Sequence, residues 1–126
     1  MLEKIKLILQ PIASFAYLFG SAVHGQINEE SDIDIAVYFN EMPDLVQLMS
    51  ITEELEKVIE PKHNVDLVAL NDASTILIHQ IINKGELIFA NNMHEIKSYV
   101  ILKNNEYIDF KYSRRKIEEQ ILQKFQ

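Results

Sequence analysis

The chain has 126 residues, enough for one domain with its own core and too few for a polymerase with separate fingers and thumb. A composition of 48% hydrophobic and 25% charged residues excludes a disordered chain. The net charge of −7 is uneven, because residues 1–92 hold five basic and fourteen acidic groups and residues 93–126 hold seven and five. With no cysteine there is no disulfide or thiolate chemistry, and a reducing cytoplasm is the expected location.

In chain order, Leu2, Ile5, Leu7, Ile8, Leu9 and Ile12 recur at helical spacing, with Pro11 near the end, and predict an opening helix of about three turns covering a sheet. The mixed acid and base of Met1 to Leu7 does not read as a signal peptide, and no eighteen apolar residues run together, so no membrane span is expected. The apolar run Phe15–Phe19 ends at Gly20-Ser21, and Asp32 to Phe39 alternates apolar and polar residues, a pattern of strand, tight turn and strand. Pro43 suits a first helical position, and Leu45, Leu48, Met49, Thr52, Leu55 and Ile59 form a stripe that Pro61 ends. Asn64–Leu70 predicts a buried strand. Ser74–Asn83 predicts a helix stopped by Gly85, and Glu86–Ala90 a last short strand.

From Met93 to Gln126 there is neither glycine nor proline. Ile96, Val100, Lys103, Tyr107, Phe110, Arg114, Ile117, Ile121 and Phe125 repeat every three or four residues, predicting one long helix with Asn104-Asn105 as a candidate kink. Such a helix spans roughly 50 Å, more than a compact domain of this size, so part of it should project. Tyr99, Tyr107 and Tyr112 read as packing residues. The reading is a single domain over 1–126, with 93–126 a helical extension.

The chemistry concentrates in three aspartates. Asp32 and Asp34 share one strand face roughly 6.6 Å apart, where like charges repel unless they share a proton or a cation. Asp66 shares a strand face with Val68 and Leu70, where a carboxylate needs a partner to offset its desolvation. Gly20 permits a turn and close approach of a ligand, and Ser21 can cap a short helix whose start attracts phosphate. The four histidines, His24, His63, His79 and His94, lack zinc-ligand spacing. For Asp32 and Asp34 the bland alternative is an exposed polar strand face; for Asp66 it is a carboxylate capping a neighbouring loop.

Gly20-Ser21, ten residues, then Asp32-Ile33-Asp34 resembles the signature of the DNA polymerase β-like nucleotidyltransferase superfamily. Over Phe15 to about Ala90 the chain is most similar to minimal nucleotidyltransferases, the MNT-domain antitoxins that pair with HEPN-domain ribonuclease toxins. The resemblance implies an α/β (α+β) fold of the polymerase β-like type, a two-layer domain with a small mixed sheet backed by helices and a long C-terminal helix. It implies two Mg²⁺ ions on Asp32, Asp34 and Asp66, ATP as substrate, and a nucleotide-binding set of Gly20, Ser21, His24 and Gly25. His24 stands where these proteins often carry an arginine, so a phosphate-contacting cation is replaced.

The implied reaction transfers AMP from ATP to a tyrosine of a HEPN toxin and silences it. The alternatives are a non-catalytic antitoxin that acts by binding alone, and a nucleotidyltransferase for a small molecule such as an aminoglycoside. An acidic front repels a nucleic-acid template but not a metal-chelated nucleotide, so no template is expected. The C-terminal helix is the candidate surface for a second copy or for the HEPN protein, through Tyr107, Phe110, Ile117, Ile121 and Phe125.

Overall fold

The computed structural model describes residues 1–24 and 31–124. Helix α1 (Leu2–Leu9) leads to strand β1 (Ala13–Phe19), a short 3-10 turn (Gly20–His24) and β2 (Ile33–Phe39). Then follow α2 (Leu45–Val58), β3 (Val65–Ala69), a second 3-10 turn (Leu70–Asp72), α3 (Thr75–Lys84), β4 (Glu86–Ala90) and α4 (Met93–Lys124). The first helix is shorter than its apolar spacing suggests, because Pro11 brings no N–H to a further turn. Helix α2 begins two residues after Pro43. Asp44 takes the N-cap, its carboxylate accepting from the Gln47 N–H while the Gln47 side chain accepts from the Asp44 N–H, a capping box worth about 1 kcal/mol.

The sheet is mixed, in the order β3-β2-β1-β4, with β3 parallel to β2 and the other pairs antiparallel. Helices cover both of its faces, so the domain has three layers rather than the expected two. On one face Ile5 and Leu9 of α1 and Leu55 and Ile59 near the end of α2 pack on Ala16, Leu18, Ile33, Ile35, Val37 and Phe39. On the other, Ile78 and Ile81 of α3 and Ile96 of α4 pack on Phe15, Tyr17 and Ala36. Strands buried on both sides lose their polar face, and the continuous run from Phe15 to Phe19 carries that signal. Fully burying each of these large aliphatic side chains contributes roughly 1.5–3 kcal/mol.

The inward stripe of α2 is Leu48, Ile51, Leu55 and Ile59, whereas Leu45 and Met49, expected on it, are exposed. Helix α3 starts at the Ser74 cap, whose hydroxyl accepts from the Leu77 N–H, and stops at Gly85. A Cβ at Gly85 would strike the Ile81 carbonyl and lie 3.0 Å from that of Leu18, so only glycine lets the end of α3 press on β1.

Helix α4 has 32 residues and continues unbroken through Asn104 and Asn105, about 48 Å at 1.5 Å per residue. Its first half packs: Tyr99 lies 4.8 Å from the Phe15 ring, and Tyr107 stacks on His79 at 3.6 Å. From Ile108 to Lys124 every residue is exposed. Tyr112, expected to pack, is among them, beneath the Lys116 ammonium. Phe125 lies outside the described residues. Among the described residues, no helix is long and apolar enough to cross a membrane.

Candidate active site

Strand directions bring the candidate residues to one edge. Because β1 runs against β2 and β4, and β3 runs with β2, the end of β1 meets the starts of the other three strands. Asp34 sits directly opposite Asp66 in the β2–β3 register, and opposite Phe19 in the β1–β2 register. Both carboxylates belong to the sheet face that α3 and α4 cover farther along, at Ala36 and Val68. Here that cover has ended: Asp34 is half-buried, and Asp32, the residue before β2, and Asp66 are exposed.

The Asp34 and Asp66 carboxyl groups lie within hydrogen-bonding reach of each other. Burial pushes the Asp34 carboxyl up from its ordinary value of 3.8, and the charges of Asp66 and then Asp32 push it the same way. Among the described residues the ion pairs are Lys103–Glu106 and Arg114–Glu118, both on α4, so none relieves the three aspartates. Gly20 closes the cleft from the β1 side with φ of +72°, and a Cβ there would collide with the Asp34 carboxylate. Its freedom is therefore required twice, for the backbone turn and for the space. Ser21 follows, half-buried, in a 3-10 turn of five residues. That turn is too short to supply the dipole of a helix start, so what it offers an anion is its backbone N–H groups. His24 ends the turn, its side chain outside the described set; Gly25 lies outside the described residues altogether.

Whether this cleft suits a cation is a question of donor type and crowding. Three carboxylates, with no ion-pairing base among the described residues, offer hard oxygen donors of the kind Mg²⁺ takes, and the Asp34 carboxyl, raised by burial and then by the charges of Asp66 and Asp32, is one that a cation would relieve. Among the described residues no three His, Asp or Glu side chains already enclose an ion site. Mg²⁺ usually takes one or two carboxylates and completes its shell with water and substrate phosphate. The three carboxylates supply the donor type that this ion takes.

Spacing alone misses one supporting residue. His63 is buried, and its Nδ1 lies 3.0 Å from the Ser31 carbonyl; only an N–H can donate to that oxygen, which fixes the tautomer. The Ile33 N–H donates to the Asn64 carbonyl at 2.8 Å. These two bonds bracket Asp32 and set the entry into β2. No zinc spacing marks His63, and its signal is only its place just before the strand that carries Asp66.

Residues 3–94 match the family described as Polymerase beta, Nucleotidyltransferase, and the chain belongs to that family. Within it, the chain is 34% identical over 80 residues to the protein adenylyltransferase MntA of Shewanella oneidensis, a match covering 64% of this chain and 56% of that relative. The chain thus spans just over half of that relative's length. Among solved structures, a chain in the crystal structure of a toxin-antitoxin with AMP-PNP superposes with a TM-score of 0.81 at 27% identity, over 96% of this chain and 98% of that one. A chain in the complex of the tri-AMPylated Shewanella oneidensis HEPN toxin with MNT antitoxin does so with a TM-score of 0.74 at 25% identity, over 96% and 95%.

Proposed function

We propose that this chain transfers AMP from ATP to a tyrosine of a partner HEPN-domain toxin and silences it. The observation that carries the reading is the meeting of Asp34 and Asp66 beside Gly20, under the charge of Asp32, at one open sheet edge. Support comes from the adenylyltransferase relative and from the structural likeness to chains of toxin-antitoxin complexes, one with AMP-PNP and one with an AMPylated toxin.

Asp32, Asp34 and Asp66 would hold Mg²⁺, which when bound neutralises phosphate charge and eases ionisation of the attacking hydroxyl. Gly20 and Ser21 admit the triphosphate against bare backbone. Asp66, exposed at the rim, accepts the proton of the acceptor hydroxyl. The hydroxyl oxygen forms a bond to the α-phosphorus, the bond from that phosphorus to the bridging oxygen breaks, and pyrophosphate leaves with the electron pair.

The partner surface is the projecting half of α4, where Phe110, Ile117 and Ile121 continue into solvent the packed stripe of buried Ile96 and partly buried Val100 and Tyr107. An apolar stripe on a free helix is stabilised by being covered. Truncation before Arg114 should weaken co-purification with the toxin and leave nucleotide binding intact; undiminished association would refute this placement.

The reaction is tested with ATP labelled at the α-phosphate, Mg²⁺, and in separate tubes the HEPN toxin, an aminoglycoside, or no acceptor. Label on the toxin alone is expected. Label on the small molecule, or toxin neutralised without label, would overturn the reading in favour of a small-molecule transferase or of inhibition by binding.

A further inference from the structure

A cavity of about 310 Å³ lies beside Gly20, lined by Phe19, Gly20, Leu77, Gln80, Ile81 and Lys84. Gly20 therefore touches both the Asp34 carboxylate, which lies over its α-carbon, and this cavity, which it helps to line. The cavity has a single charged lining residue, Lys84, in the last turn of α3, and Gln80 lies one turn earlier on the same helix face. Close packing of Gly85 on the Leu18 carbonyl holds that helix end beside the end of β1.

Lys84 is one of only five basic residues in the acidic stretch 1–92, and among the described residues it has no ion pair. A lysine in a last turn ordinarily serves the helix dipole, a contribution of only about 0.3–1 kcal/mol. Its position in a cavity continuous with Gly20 calls for a ligand that is anionic at one end and compatible with carboxylates at the other. A polyphosphate bearing a cation has that chemistry.

We propose that Lys84, with Gln80 beside it, binds the terminal phosphates of the nucleotide, the part that departs as pyrophosphate. This rests on the adenylyl-transfer reading above. Lys84 then supplies a cation on the leaving-group side of Gly20, while the aspartates hold the reacting side. An ammonium on a flexible stem suits a departing anion as a point charge.

The test measures binding of AMP-PNP with Mg²⁺ by calorimetry to the wild-type chain, Lys84→Met and Lys84→Arg, with melting temperatures alongside. Lys84 is exposed, so neither substitution should lower melting. Lys84→Met should weaken binding about tenfold or more, as loss of a charge-assisted hydrogen bond does. Lys84→Arg should recover most of it, and the salt dependence should be shallower in Lys84→Met than in wild type. Lys84→Met binding within twofold of wild type, or Lys84→Arg no better than Lys84→Met, would overturn the assignment while leaving adenylyl transfer standing. Wild-type chain that binds no AMP-PNP would overturn both.

Discussion

The two ends of β2 are built by opposite rules. At the Phe39 end, polar groups are answered in pairs: Asn71 donates to the Phe39 carbonyl and accepts from its N–H, both at 2.9 Å. The Asn40 N–H donates to the Ile12 carbonyl and Ser14 Oγ to the Asn40 side chain, each at 3.0 Å. At the Asp34 end of the same seven-residue strand, three carboxylates crowd together and no described cation relieves them. A fold that satisfies polar groups so fully at one end can hold unrelieved charge at the other. The contrast separates what keeps the strand in place from what the strand presents.

The largest expected effect breaks the open end. Asp66→Asn removes the proposed proton acceptor and should slow AMP transfer by about 10²–10⁴, with melting unchanged because the side chain is exposed. Radiolabel transfer to the toxin measures it, and a loss under tenfold would remove Asp66 from the reaction. Breaking the closed end should do the reverse: Asn71→Ala strands two Phe39 backbone groups and should cost about 1–3 kcal/mol in urea unfolding, with activity per folded molecule retained. A smaller effect sharpens the contrast through pH. The folded Asp34 carboxyl holds its proton to higher pH than an unfolded one, so its share of stability is fully present below 3.8 and is lost as pH rises through the folded value. Without Mg²⁺, the stability advantage of Asp34→Asn over wild type should therefore grow from acid toward neutral pH. A difference that is flat with pH would mean that burial and the neighbouring charges do not hold the Asp34 carboxyl above its ordinary value.

Much of this site is legible in the sequence, and the reason is local. Asp32 and Asp34 sit two apart in a strongly alternating strand, and Asp66 interrupts an otherwise apolar one, so each stands out against its neighbours. The exposed end of α4 is equally legible, because its length exceeds the body it leaves. The rest depends on what the chain brings together from afar. Whether one or both sheet faces are covered is decided by where α3 and α4 return, and the inward face of α2 by its angle on the sheet, which turns Ile51 in and Met49 out. His63 and Lys84 carry no motif, and only the packing of α3 on β1 and the turn before β3 give them a place at the site.

The most direct measurement is the intact mass of the HEPN toxin after incubation with ATP, Mg²⁺ and either wild-type chain or the Asp32→Asn, Asp34→Asn double variant. Wild type should add one or more AMP units and the double variant none, while its melting temperature stays level or rises because paired like charge has been removed. AMP added by the double variant, or unmodified toxin with the wild-type chain, would contradict the assignment of this carboxylate cleft to nucleotidyl transfer.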